Sequence, residues 1–225
     1  MNATIPFKSA IRQQDSLLSS AEKKTLIWLA RQMPARINSD HLTALGFLGM
    51  LGAGIFYYFA NEHPLALVAS SVCLAVNWFG DSLDGTLARV RRKERPRYGF
   101  YMDHVVDAFA MLFLVGGMGL SGYMSGRIAM ALLIAYFMLS IELYLATYTT
   151  GLFRLSFGAW GPTELRLVVM IGNIILLVRP HVTLAGRQYL LCDVAGVVTI
   201  AGLGIILIRS VVRNGRTLYL QETLR

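Results

Sequence analysis

Four aspartates lie at the edges of two strongly apolar stretches of the chain, where carboxylates are rare. They are Asp81, Asp84, Asp103 and Asp107. An aspartate at the centre of a bilayer is penalised by about 2.5 to 3.5 kcal/mol on insertion scales, and by less near the interface. Because each such side chain is costly to place, a group of them within one short segment indicates a functional site.

The spacing of the aspartates predicts how they come together. Residues three or four apart share one face of a helix. Asp81 and Asp84 therefore form one pair on a common face, and Asp103 and Asp107 form a second. Two helices that face each other would bring all four carboxylates together. Like charges this close cannot all stay ionised without cations, and hard oxygen ligands suit Mg2+, Mn2+ or Ca2+ rather than zinc. The pattern therefore predicts a divalent metal site.

The composition is that of a membrane protein. The 225-residue chain is 55% hydrophobic, 15% of its residues are charged, and its mean hydropathy is +0.54. Its apolar runs predict an all-α, polytopic membrane protein with six transmembrane helices. The six predicted spans are residues 42–59, 65–79, 105–120, 128–146, 165–178 and 190–208. The second and third helices can continue beyond their apolar runs, through the aspartates and into the interface.

The basic residues predict the orientation. If both termini and the second-to-third and fourth-to-fifth connections share one side, that side carries all 21 Lys and Arg residues except Arg127, Arg179 and Arg187. We therefore expect both termini and the aspartates on the cytoplasmic side of the cell membrane, where the net charge of +8 lies against anionic lipid. Residues 1–40 would be a cytoplasmic segment and residues 41–225 a single membrane domain. No motif favours a nucleic-acid partner.

The N-terminal segment is expected to contain a short amphipathic helix. Ser19 and Glu22 have the form of a capping box, and the apolar residues that follow cluster against basic ones up to Pro34, which should end the helix. Such a helix would lie on the cytoplasmic membrane surface with Trp28 at the level of the lipid headgroups. The open alternative is that its apolar face packs against the protein instead.

Taken as one unit, residues 81–107 fit the pattern D-x-x-D-G-x-x-A-R-x9-G-x-x-x-D-x-x-x-D without a departure. This pattern resembles the signature of the CDP-alcohol phosphotransferase family, and so many fixed positions in a polytopic membrane chain make the match specific. The resemblance implies a homodimeric membrane enzyme that transfers a phosphoalcohol unit from a CDP-alcohol to an acceptor hydroxyl and releases CMP.

The resemblance also implies a role for each fixed position. The expected ligands of two divalent ions, Mg2+ or Mn2+, are Asp81, Asp84, Asp103 and Asp107. The last of these, Asp107, would also act as the general base. The residues expected around the nucleotide are Gly85, Ala88, Arg89 and Gly99. The small residues leave room for the substrate, and the arginine can neutralise a phosphate oxygen.

Candidates for the acceptor site lie mainly in the connection between the fourth and fifth predicted spans, on the same side as the aspartates. They are His104, Arg154, Glu164 and Arg166. Two structural alternatives stay open. Glu164 and Arg166 can instead form an interfacial ion pair, or Arg166 can be an arginine that snorkels to the interface. A histidine at a helix start, such as His104, is commonly just a hydrogen-bonded neighbour.

The resemblance leaves the substrates open between two branches of the family. One uses CDP-diacylglycerol and a polar acceptor, and we favour it because small six-span chains are similar to it. The other transfers phosphoethanolamine or phosphocholine to a diglyceride. A rival of another class is a cation transporter, since intramembrane carboxylates also mark ion pathways. The aspartates gather at one interface beside a basic loop, however, which favours a phosphate substrate.

Overall fold

The computed structural model describes residues 11–13, 19–150, 152–154 and 161–222, and most of these are helical. The helices are α1 (Ser19–Gln32), α2 (Ser39–Ala60), α3 (Ala66–Val90), α4 (Pro96–Leu120), α5 (Gly126–Thr150), α6 (Pro162–Val178) and α7 (Leu191–Gln221). The strands are β1 (Ile11–Gln13), β2 (Leu152–Arg154), β3 (His181–Leu184) and β4 (Arg187–Leu190).

Five helices in the described part of the chain, α2, α3, α4, α5 and α7, are long and apolar enough to cross a membrane. They coincide with five of the six predicted spans, which confirms the helical, membrane-protein class. The remaining predicted span, residues 165–178, falls in α6. This helix has 17 residues, fewer than the roughly 20 that cross a bilayer core without thinning it. Its length alone therefore does not confirm the predicted count of six.

Helix α6 lies antiparallel along α3. Near the start of α6, Arg166 pairs with Asp81. About two turns further along α6, the Nδ2 atom of Asn173 donates to the carbonyl of Leu67 at 3.4 Å and to the hydroxyl of Ser71 at 3.0 Å. Later positions in α6 thus meet earlier positions in α3, and α6 runs beside the part of α3 between Leu67 and Asp81.

Glycines allow α2 to pack closely against both α3 and α4. A Cβ added to Gly80 of α3 would lie 2.4 Å from the backbone nitrogen of Gly46 in α2. A Cβ added to Gly54 of α2 would lie 2.3 Å from the carbonyl oxygen of Phe113 in α4. No side chain fits at these contacts. Helix α2 therefore holds together the two helices that carry the aspartates.

Helix α1 packs against the C-terminal end of α3. Leu26 and Ala30 of α1 are buried in one cluster with Leu83 and Leu87 of α3. Trp28, however, is 61% exposed. One stripe of α1 therefore packs against the protein, and the face that carries Trp28 remains available to a membrane surface.

A single carboxylate links α1 to two other helices. The Oε1 atom of Glu22 accepts hydrogen bonds from Nε1 of Trp78 in α3 at 2.9 Å and from Oγ1 of Thr163 in α6 at 2.6 Å. The helix ends at Gln32, shortly before Pro34, as the sequence predicts. The side chain of Ser19, the other half of the predicted capping box, lies outside the described residues.

Two small strand pairs depart from the predicted all-α architecture. Strand β1 pairs in parallel with β2, and β3 pairs with β4 in an antiparallel hairpin. The hairpin turns through Ala185 and Gly186, whose φ angles of 49° and 78° suit the tight turns that match the twist of paired strands. Strands of three or four residues are too short to give a hydrophobic period, so the sequence did not predict them.

Candidate active site

The aspartates lie on two helices, in the pairs that their spacing predicts. Helix α3 continues beyond its apolar part and carries Asp81 and Asp84. Helix α4 begins at Pro96, where the missing N–H leaves no helical hydrogen bond unmade, and it carries Asp103 and Asp107. Since α2 packs against both helices, it determines how the two pairs meet.

Three of the aspartates, Asp81, Asp103 and Asp107, line one cavity between α2, α3 and α4. Its remaining walls are Thr43, Gly46, Phe47, Asn77, Val106 and Ala110. The cavity measures about 10 Å3, which is room for one water-sized particle. In this conformation it can therefore hold a small ion or a water molecule, and a nucleotide has to bind beside it.

The fourth aspartate, Asp84, is tied to the cavity wall. Its Oδ2 atom accepts a hydrogen bond from Oγ1 of Thr43 at 2.6 Å. The hydroxyl of Ser39 donates to the backbone carbonyl of the same aspartate at 3.0 Å. Two residues at the start of α2 thus fix Asp84, and one of them, Thr43, also lines the cavity of the other three carboxylates.

The residues around the cavity suit a hard cation in their chemistry. Among the described residues, no three Asp, Glu, His or Cys side chains stand close enough to form a ready-made metal site. One further oxygen is available, however. Asn77 is 4% exposed, its Nδ2 donates to the carbonyl of Gly46 at 2.9 Å, and its Oδ1 is buried without a hydrogen-bond partner.

A buried acceptor without a partner costs about 1 to 3 kcal/mol. A cation or a water molecule in the cavity would remove that cost. Carboxylate and amide oxygens are the ligands that Mg2+ and Mn2+ prefer, so the residues present fit a divalent ion of this kind.

Helix α6 brings one cation to the aspartates from a distant part of the sequence. Arg166 forms an ion pair and hydrogen bond with Asp81, and both side chains are largely removed from solvent. The partner of Arg166 is therefore an aspartate of the site rather than Glu164. Arg166 is thus an acceptor-site candidate whose side chain is bound to a residue of the cavity.

Two other acceptor-site candidates have structural partners. Glu164 is buried, and its Oε2 accepts a hydrogen bond from the backbone nitrogen of Gly161 at 3.0 Å, which caps α6. The Nδ1 atom of His104 lies 2.6 Å from the carbonyl oxygen of Phe100, and its ring contacts the ring of Tyr144. Neither candidate lines the aspartate cavity. The side chain of Arg154 lies outside the described residues.

The two glycines of the motif differ from the packing glycines. A Cβ added to Gly99 would meet nothing within 4 Å, and one added to Gly85 would meet only the guanidinium of Arg89, at 3.6 Å. No packing contact within the described part of the chain therefore requires a glycine at either position. Arg89 lies beside this open surface, and its Nη2 donates to Oγ1 of Thr86 at 3.1 Å.

Sequence reasoning missed the two uncharged polar residues of the cavity, Thr43 and Asn77. Asn77 precedes Asp81 by one helical turn, so a polar amide within an apolar run, on the face of the aspartates, was a usable signal. Thr43 gave no signal, because it belongs to another helix and resembles any hydroxyl near a helix start.

Comparisons with known proteins agree on one family. Residues 37–215 match the CDP-alcohol phosphatidyltransferase family, whose members transfer phosphate-containing groups. Archaetidylinositol phosphate synthase of Pyrococcus horikoshii is 31% identical to this chain over 104 residues. The match covers 46% of this chain and 52% of the relative, so the chain spans about half the length of that protein.

Proposed function

This chain belongs to the CDP-alcohol phosphatidyltransferase family, and from that premise we propose that it is an integral membrane transferase of phospholipid synthesis. It transfers the phosphatidyl group of CDP-diacylglycerol to the hydroxyl of an alcohol and releases CMP. The observation that carries the proposal is the meeting of Asp81, Asp103 and Asp107 at one cavity, with Asp84 held beside it by Thr43.

We assign the binding of two Mg2+ or Mn2+ ions to the aspartates. The proposed ligands are Asp81, Asp84, Asp103 and Asp107. Asn77 offers one more oxygen through its unpartnered Oδ1. When bound, the ions offset the negative charge that develops on the diphosphate during transfer. Asp107 also acts as the general base, taking the proton of the acceptor hydroxyl as that oxygen attacks phosphorus.

The donor nucleotide is proposed to lie along the open surface of the motif. Gly85, Ala88 and Gly99 allow close approach of the substrate to the helix backbones, and neither glycine is needed for packing. Arg89 is placed to neutralise a phosphate oxygen. The cavity is too small for the nucleotide itself, so the diphosphate would approach it from this surface.

Arg166 is the proposed acceptor residue with the best structural support. Its ion pair with Asp81 keeps a guanidinium beside the carboxylates, and a guanidinium binds phosphate through two parallel hydrogen bonds. The relative makes archaetidylinositol phosphate, according to its name, which supports a phosphorylated polar acceptor. Arg154 remains a second candidate. Glu164 and His104 have weaker support, since helix capping and ring packing already account for them.

We propose that α6 is a sixth span. It runs antiparallel to α3 beside the part between Leu67 and Asp81, so a membrane that this part of α3 crosses is crossed again by α6. With six spans, both termini and the aspartates face the cytoplasm, residues 1–40 lie outside the membrane, and residues 41–225 form the membrane domain. The homodimer that the family resemblance implies is part of the same proposal, and cross-linking in native membranes tests it.

The reaction is tested by CMP release from the purified chain in lipid micelles containing Mg2+ or Mn2+. The donors are CDP-diacylglycerol, CDP-ethanolamine and CDP-choline, each offered with inositol phosphate, glycerol phosphate, serine and diglyceride. We expect metal-dependent CMP release with CDP-diacylglycerol and one polar acceptor. The Asp84→Asn variant should lose it, and Asp40→Asn, a change at an exposed aspartate of α2, should not.

The other outcomes separate the alternatives. CMP release only with a diglyceride and CDP-ethanolamine or CDP-choline would assign the chain to the branch of the family that transfers phosphoethanolamine or phosphocholine. No CMP from any pair, by protein that is folded and binds Mn2+, would refute the transferase and favour cation transport.

A further inference from the structure

A basic groove lies between α1 and the end of α3. Six residues of the described part of the chain line it: Lys23, Ile27, Arg31, Thr86, Arg89 and Val90. None of them lines the aspartate cavity, although Arg89 also borders the surface proposed for the donor. The groove measures about 330 Å3, which falls in the range of sites that hold small ligands or lipid headgroups.

The cations of the groove come from two elements. Lys23 and Arg31 are eight positions apart and lie on one side of α1, separated by about 12 Å along the helix. Arg89 enters from α3, and its hydrogen bond to the buried hydroxyl of Thr86 orients it. Neither Lys23 nor Arg31 forms an ion pair with a carboxylate of the described residues. A bound anion would offset the mutual repulsion of these cations.

The same groove also has an apolar side. Ile27 and Val90 belong to its lining, and Val90 is 39% exposed at the last position of the membrane-length helix α3. Trp28, next to Ile27, is exposed, and tryptophan is enriched at the boundary between lipid and water. A ligand with an anionic head and an apolar body uses both sides, whereas a free phosphate uses only the cations.

We propose that this groove binds the phosphate headgroup of an anionic phospholipid from the surrounding bilayer, as a ligand that does not react. Basic pockets beside transmembrane helices recognise headgroups of this kind. The lipid bridges α1 and α3, and Glu22 already connects α1 to α6. Anionic lipid thereby stabilises the arrangement of the three helices. The lipid groove shares Arg89 with the proposed donor surface, whereas Lys23 and Arg31, the cations changed in the test below, have no assigned part in the transfer reaction.

The test uses the full chain, stripped of lipid in a neutral detergent and titrated with phosphatidylglycerol or phosphatidylcholine. Native mass spectrometry measures bound lipid, and the unfolding temperature is followed in parallel. The groove variant is Lys23→Gln with Arg31→Gln. The matched control is Lys24→Gln with Arg36→Gln, which removes the same charge from two exposed positions outside the groove. A third variant, Lys23→Arg with Arg31→Lys, keeps the charge.

We expect the wild type to retain phosphatidylglycerol in preference to phosphatidylcholine and to unfold at a higher temperature with it. The groove variant should bind phosphatidylglycerol at least tenfold more weakly, while the control and the charge-keeping variant bind as the wild type does. Without lipid, all four proteins should unfold at the same temperature, because the exchanged side chains are exposed.

Three results would overturn the proposal. Unchanged binding in the groove variant would mean that the lipid binds elsewhere. Equal loss in the groove variant and the control would mean that only net charge matters. Displacement of phosphatidylglycerol by glycerol phosphate or inorganic phosphate at similar concentrations would mean that the groove holds a soluble phosphate and not a lipid.

Discussion

Each aspartate of the candidate site has different neighbours, and chemically identical side chains can therefore take different roles. Asp81 is paired with the guanidinium of Arg166, while Asp84 accepts a hydrogen bond from the hydroxyl of Thr43. Asp107 lines the cavity together with Asp103 on α4. A carboxylate that already has a cation or a hydroxyl as partner is less suited to accept a proton from a substrate. Of the two that remain, Asp103 and Asp107, the family resemblance implies that Asp107 is the base.

Asp107→Asn is expected to lower kcat for CMP release by at least about 100-fold, since an amide cannot take the acceptor proton. Binding of Mn2+, followed by electron paramagnetic resonance, should weaken more in Asp84→Asn than in Asp107→Asn. If Asp107→Asn retained near-normal turnover while Asp84→Asn was inactive, Asp107 would not be the base. His104 and Glu164 would be examined next.

The unpartnered oxygen of Asn77 predicts a second effect on metal binding. Asn77→Leu removes the oxygen from the cavity and should weaken Mn2+ binding about tenfold. Asn77→Asp is the matched control, because it also loses the hydrogen bond to Gly46 but keeps an oxygen at the cavity. It should bind Mn2+ at least as well as the wild type. Equal weakening in both variants would instead assign Asn77 a purely structural role in joining α2 and α3.

At the level of secondary-structure elements, glycines serve two different purposes in this chain. Gly46, Gly54 and Gly80 permit close approach of the backbones of α2, α3 and α4. A Cβ at Gly54 or Gly80 would collide with another backbone, and one at Gly46 would lie only 3.0 Å from the backbone nitrogen of Asp81. Gly85 and Gly99 face open space or the end of a flexible side chain. The first group positions the site, and the second leaves a surface for the donor.

This distinction predicts opposite results for two alanine substitutions. Gly99→Ala should fold with equal or slightly higher stability, because alanine favours a helix by roughly 1 kcal/mol over glycine, yet it should raise the KM for the donor. Gly80→Ala should lower the unfolding temperature sharply, since its Cβ would lie 2.4 Å from the backbone of Gly46. A normal KM for CDP-diacylglycerol in folded Gly99→Ala protein would show that Gly99 is not part of the donor site.

At the level of the whole molecule, the path of α6 decides the topology. If α6 crosses the membrane, the α3–α4 connection and the β3–β4 hairpin lie on opposite sides. The two stretches differ strongly in charge, since the connection carries the basic run around Lys93 and the hairpin holds Arg187. The basic run is expected in the cytoplasm.

Cysteine labelling of intact cells tests this arrangement in a chain whose native Cys73 and Cys192 have been replaced. A membrane-impermeant thiol reagent should label Gln188→Cys in the hairpin directly. It should label Lys93→Cys only after permeabilisation. Both positions are exposed in the fold, so access is limited by the membrane alone. Labelling of both from the same side would show that α6 does not cross, and five spans would be the correct number.

The sequence by itself determined the membrane class, five of the spans, the end of α1 before Pro34 and the pairing of Asp81 with Asp84 and of Asp103 with Asp107. Each of these depends on local properties: the length of an apolar run, the fixed backbone of proline, or the spacing along one helix. The motif was equally readable, because all its positions lie in one segment, residues 81–107.

Only the tertiary structure decided which elements meet at the site. The contact of Thr43 with Asp84, the pairing of Arg166 with Asp81 and the hydrogen bond from Thr163 to Glu22 each join residues that are far apart in the sequence. Such contacts depend on how whole helices cross, and close glycine packing determines that crossing for α2 with α3 and α4. No local period along a single helix encodes that crossing, so these partners could not be predicted before the helices were packed.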